Sequence, residues 1–125
     1  MLRPVLTERA PKPVGPYSQA IDDGAYLFVS GQGPLDPLTG RYEPADVATE
    51  TRRVLENLRA ILEAAGSSVD RVVRVAVYLR DIGDFAAMNE VYAAFFGEHR
   101  PARTTIQAGA LPGGIGVEID CIARK

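Results

Sequence analysis

The chain has 125 residues, 46% of them apolar and 24% charged, which suffices for one buried core and is too short for two, so a single domain spanning 1–125 is expected. Its net charge of -2 supplies no surplus of cations to track a phosphate backbone, which disfavours nucleic acid as a partner. A single cysteine, Cys121, and a single histidine, His99, exclude an internal disulfide and a Cys/His metal cluster.

Residues 1–14 carry Pro4, Pro11 and Pro13 among charges, a composition that resists helix and suits an extended lead-in. Prolines and charges also stand where a signal peptide would carry an apolar run, and no later run reaches membrane-spanning length. Neither export nor a membrane partner is therefore expected, and a cytoplasmic protein is. Tyr17 to Ile21 and Tyr26 to Ser30 flank Asp22-Asp23-Gly24, which predicts a hairpin whose glycine takes positive φ. The stretch 31–44, rich in glycine and proline, reads as a surface loop with a short strand around Arg41-Tyr42.

Asp46 can cap a helix in which Val47, Thr51, Val54, Leu55, Leu58, Leu62 and Ala65 recur at three and four, and Gly66 can end it. A strand is expected at Val72 to Leu79. A second helix follows from about Phe85 to Phe96, with Asp84 as cap, Gly97 as stop and Phe85, Met88, Tyr92 and Phe95 as its apolar stripe. The last third reads as strands Arg103 to Ala108 and Val117 to Ala123, joined by the irregular ALPGGIG of 110–116. This order gives an α+β fold, with two helices on one face of a mostly antiparallel or mixed sheet.

In Val72 to Leu79 both alternating sets are apolar: Val73, Val75, Val77 and Leu79 against Val72, Ala76 and Tyr78. Two helices cover one face, so the other is expected to pack against further copies of the chain; cover by its own loops is the alternative.

In the last strand Val117, Ile119 and Cys121 point one way and Glu118 the other, so Glu118 is expected on the face away from the helices. A carboxylate there needs a partner or a job. If the last two strands pair, Arg103, which shares a face with Thr105 and Gln107, can meet it. An interfacial ion pair and a functional pair are both open readings. Asn89 interrupts the apolar stripe of the second helix, as a structural amide or a ligand contact. Tyr17 and Ser30 sit beside glycines at the hairpin edges, where a hydroxyl can reach a cleft. No Cys-His pair, GxSxG, P-loop or HExxH pattern is present.

Over essentially its full length the chain resembles the RidA family of reactive intermediate or imine deaminases, the YjgF type. The blocks that carry the likeness are GPYSQA at 15–20, LFVSGQ at 27–32, the helix-strand-helix run at 54–96, and PARTTIQAGALPGGIGVEIDCIA at 101–123. The resemblance implies a chorismate-mutase-like fold with a six-stranded mixed sheet and two helices, a homotrimer with clefts between subunits, and no cofactor. It implies hydrolysis of 2-iminobutanoate and 2-iminopropanoate to 2-oxo acids and ammonia. Arg103 then matches the carboxylate-binding arginine and Glu118 the carboxylate that activates water. Tyr17, Ser30, Gly31 and Asn89 match residues lining the cleft, and Thr105 contributes its backbone amide. The same resemblance leaves two alternatives: a translation-inhibiting ribonuclease, and a non-catalytic ligand-binding or chaperone-like trimer.

Overall fold

The computed structural model describes residues 1–125. Strands β1 (Arg3–Val5), β2 (Ala20–Asp22), β3 (Tyr26–Gln32), β4 (Val72–Leu79), β5 (Ala102–Gln107) and β6 (Val117–Arg124) form one sheet in the order β1-β2-β3-β6-β4-β5. Every neighbouring pair is antiparallel except β4 and β5, which run parallel. Helices α1 (Val47–Ala64) and α2 (Phe85–Phe96) share a single apolar core with one face of this sheet, as the α+β reading expects.

Helix α1 begins as its sequence dictates: the Asp46 carboxylate accepts the Thr49 N–H at 2.8 Å, satisfying a donor that the helix cannot. Gly66, at φ +83°, terminates it in the left-handed region. Val54, Leu55, Leu58, Ile61 and Leu62 are all buried, and full burial of each such side chain contributes roughly 2 kcal/mol. The start of α2 departs from expectation. A 3-10 turn at Ile82–Asp84 leads into it, and Asp81 rather than Asp84 supplies the side-chain cap, accepting from Gly83 N–H at 2.8 Å. Asp84 lies inside that turn at φ -84°, ψ 2°, away from the extended geometry that lets a capping side chain reach back. The buried stripe of α2 is Met88, Tyr92 and Phe96, spaced by four, whereas Phe85 and Phe95 are less covered.

The lead-in holds β1, paired antiparallel to β2, and the hairpin's first strand is shorter than expected, so Tyr17 lies outside it, just after a bend at 14–16. The turn at Gly24 has the expected positive φ. The Arg41-Tyr42 strand is reduced to one bridge between Leu35 and Tyr42.

Two β-bulges reset side-chain parity. In β4 the register slips between Val72 and Arg74, so Val72 joins Val75, Val77 and Leu79 in the core while Val73 turns outward. This reverses the expected placement of both residues. In β3 the register slips between Val29 and Gln32, so Ser30 and Gly31 together oppose Asp120. Val29 and Gln32 are both buried, and Ser30 and Gly31 lie between them on the outer side.

The face away from the helices carries Phe28, Val73 and Ile106, each more than a third exposed, with Ile21, Ala76, Tyr78 and Ile122 among them. This chain leaves that apolar face uncovered.

Candidate functional site

Glu118 lies on that outer face, opposite Tyr78 in β4 and beside the β3 bulge. Half burial, with the Asp120 carboxylate two residues along the same face, pushes the Glu118 carboxyl above its ordinary range. Its side chain occupies the space where Gly31 has none: a Cβ there would meet the Glu118 Oε2 and come within 2.9 Å of Cδ. Glycine at 31 is thus a condition for Glu118 to sit here. Ser30 Oγ donates to the Ser18 carbonyl at 2.6 Å, and the Tyr17 hydroxyl accepts from the Val14 N–H at 3.3 Å. Tyr17, Ser30, Gly31 and Glu118 line one cavity of about 600 Å³, walled further by Leu35, Tyr42, Pro112 and Ile115. A groove of about 610 Å³ along α1 contains none of the site residues expected from sequence.

Arg103 is in β5, opposite Val75 of β4. Because Val75 is a core residue, Arg103 and Thr105 belong to the helix face at the sheet's edge, under α2. There the Arg103 Nη1 donates to Asn89 Oδ1 at 2.7 Å. Its guanidinium carbon lies 4.6 Å from the Tyr92 ring centroid and 5.5 Å from that of Phe85, a stacking geometry that fixes the planar group's direction. No carboxylate of the chain forms an ion pair with it. Burial pushes the Tyr92 phenol up to about 12, with the Arg103 charge opposing the shift. The Tyr92 Oη and the Thr105 Oγ1 are buried without a partner in the chain.

Arg103 and Glu118 therefore do not meet, contrary to the pairing expected from sequence. β5 is joined to β4 through α2 and adds parallel on its outer side, while β6 runs antiparallel on the other; a parallel neighbour needs such a crossover. Their strands lie two spacings apart, about 10 Å, the residues stand opposite Val75 and Tyr78, three positions apart along β4, and they project from opposite faces. The chain thus presents two separate polar clusters: a carboxylate with hydroxyls and backbone, and a guanidinium on an aromatic bed with an amide.

The remaining reactive groups are committed elsewhere. The His99 Nε2 lies 2.7 Å from the Val72 carbonyl oxygen. Cys121 is buried in the core, which pushes its thiol up to about 12 and keeps it neutral at pH 7. No three His, Cys, Asp or Glu side chains converge as a metal site.

Sequence reasoning missed Phe85 and Tyr92 as neighbours of Arg103, having assigned both to the core stripe; their spacing from Asn89, at four and three residues, was the available signal. Tyr42 and Ile115 were missed too, because loop residues carry no periodicity to place them.

The model of a family described as Endoribonuclease L-PSP matches residues 7–125. A RutC family protein of Pyrococcus horikoshii is 54% identical over 121 residues, covering 97% of this chain and 96% of that one. The 2-iminobutanoate/2-iminopropanoate deaminase of Escherichia coli is 44% identical over 128 residues, covering 100% and 99%. The structure of E. coli TdcF with bound serine superposes with a TM-score of 0.93 at 44% identity, covering 98% of each chain.

Proposed function

We infer the reaction from one premise: the chain belongs to the Endoribonuclease L-PSP family, also known as the YjgF or RidA family. It hydrolyses 2-imino acids, 2-iminobutanoate and 2-iminopropanoate, to 2-oxo acids and ammonia. The observation that carries this reading is the pair of complementary half-sites, an ion-pair-free Arg103 and a Glu118 carboxyl with a raised pKa, held on opposite faces of one chain.

The apolar outer face packs against further copies in a homotrimer, which brings the Arg103 half of one subunit to the Glu118 half of the next. Arg103, aligned by Asn89 and Tyr92, forms two parallel hydrogen bonds to the substrate carboxylate through its planar guanidinium. Serine, the molecule bound by the related TdcF, presents the same α-carboxylate. Glu118 accepts a proton from a water that adds to the imine carbon; its raised pKa makes it a stronger proton acceptor than an ordinary carboxylate. Water adds to the N-protonated imine, and the carbinolamine then collapses: Glu118 returns its proton to nitrogen, the hydroxyl proton passes back to the Glu118 carboxylate as the carbonyl forms, the C–N bond breaks, and ammonia leaves the 2-oxo acid. Ser30, the Gly31 backbone and the Thr105 amide orient the substrate, and Tyr17 closes the cleft against water. The imine carbon is itself electrophilic, so no side-chain nucleophile is needed.

The test is the decay of 2-iminobutanoate, generated by a threonine dehydratase, with and without the protein. Acceleration is expected, and its absence rejects the reading. Ribonuclease action, which the family description names, fits less well: the chain is net acidic and its one histidine is hydrogen-bonded at Val72. Salt-sensitive RNA cleavage abolished by Arg103→Ala would favour it.

A further inference from the structure

We propose that Glu50 is a positioning residue for the Glu118 half-site, an inference that rests on the imine-hydrolase reading. Glu50 lies in the first turn of α1, where a negative charge is favoured by the helix dipole. A solvent-exposed carboxylate would gain that benefit as well, yet Glu50 is only 1% exposed, a placement that is unfavourable unless each oxygen is hydrogen-bonded. Both are. Oε2 accepts from the Tyr42 hydroxyl at 2.7 Å and the Ala45 N–H at 3.1 Å, and Oε1 accepts from the Gly116 N–H at 2.8 Å.

These donors belong to the two loops that wall the Glu118 cavity. Tyr42 follows Leu35 in the first loop, and Gly116 follows Pro112 and Ile115 in the second; all except Gly116 line the cavity itself. Gly116 stands two residues before Glu118 on the same strand entry, and a Cβ there would come within 2.8 Å of Glu50 Oε1, so the approach requires glycine. Arg80 reinforces the second loop, donating from Nη1 to the Gly114 carbonyl at 2.8 Å and from its backbone N–H to the Gly116 carbonyl at 3.0 Å.

The chemistry of the three donors selects a carboxylate. Two are backbone N–H groups that cannot accept, so an acceptor-only group satisfies all three, whereas the NH2 of a glutamine must face at least one donor or turn to the Tyr42 oxygen. Glu50 thus fixes both loops relative to the first residues of β6, and through them the place of Glu118. It has no contact with the Arg103 half, which is braced by α2 instead. A defect at Glu50 should therefore reach water activation and spare carboxylate binding.

The test is steady-state imine hydrolysis by the full chain carrying Glu50→Ala, Glu50→Gln or Tyr42→Phe. Calorimetric titration of 2-oxobutanoate runs alongside, to count intact sites per chain. Glu50→Ala should lower kcat about tenfold or more, since small misplacements of catalytic groups are costly, with KM within about twofold of wild type and binding stoichiometry unchanged. Glu50→Gln should recover part of that loss, and Tyr42→Phe, which keeps two of the three donors, should lose only about two- to threefold. Should Glu50→Ala fail to fold, the same order between Gln, Phe and wild type carries the test. Wild-type kcat in Glu50→Ala, or in both Glu50→Gln and Tyr42→Phe, overturns the inference. So does a fall in kcat matched by an equal fall in binding stoichiometry. A wild-type chain without imine hydrolysis removes the functional reading and this inference together, whereas an active wild type with an equally active Glu50→Ala removes this one alone.

Discussion

The two half-sites proposed for the cleft are built by different means. Arg103 is aimed by regular structure: a strand edge under a helix, with an amide at 2.7 Å and an aromatic ring at 4.6 Å. Glu118 is aimed by irregular structure: a bulge in β3, a glycine that makes room, and two loops tied to one buried carboxylate. The difference teaches that the cation needs direction, which packing against rings supplies. The carboxyl needs a particular polarity around it, which backbone and loops supply.

The largest expected effect tests whether each half is indispensable. Arg103→Ala removes a bidentate charged contact worth roughly 3 kcal/mol, so kcat/KM for imine hydrolysis should fall about a hundredfold; full activity would return Arg103 to a structural role. Glu118→Ala should fall comparably. Mixing and co-refolding these two inactive variants then separates sites within a chain from sites between chains. In a ring of subunits each cleft has about one chance in four of drawing its intact arginine and intact glutamate from the two variants, so about a quarter of wild-type activity should return. No recovery would mean that the halves do not meet between subunits.

A smaller effect is expected at the aiming groups. Asn89→Ala leaves Arg103 stacked without its acceptor and should raise KM about tenfold. Asn89→Asp should be worse than Ala, because its carboxylate competes with the substrate for the guanidinium; the reverse order in KM would show that Asn89 does not align it. Tyr92→Phe removes a buried hydroxyl that has no partner in the chain while keeping the ring beneath Arg103. A stability gain of about 1 kcal/mol is expected in thermal unfolding, with little change in rate.

The smallest effect concerns Glu118 and pH. Its carboxyl is raised in the folded chain by burial and by Asp120, so folding favours the protonated form. That contribution is complete below the unfolded pKa and is lost as pH rises through the higher folded value. Ionised Glu118 therefore opposes folding at pH 7, and Glu118→Gln should melt slightly above wild type there, with the gap closing towards pH 4. A gap that widens in acid would mean that the folded state instead stabilises the charge.

Much of this was legible in the chain itself. The cap at Asp46 and the stop at Gly66 delimit α1, and alternation along Val117 to Ala123 puts Glu118 opposite the core. Those features depend on neighbours in sequence, where residue type and period act directly. Phe85, Tyr92 and Asn89 were recognisable as one helix stripe, but their service to Arg103 was not, because the stripe's period is the same whether it faces apolar core or a cation.

What the sequence by itself determined is the two helices, the main strands and the alternation along most of them. Only the tertiary structure decided which of them face one another. The crossover through α2 sets β5 outside β4, so Arg103 and Glu118 part to opposite faces, and the bulges at Ser30-Gly31 and Val72-Val73 invert local parity. The physical reason is that strand order and register are chosen by how the whole sheet buries its apolar side chains. A one-residue slip, invisible in the local pattern, turns a side chain from one face to the other.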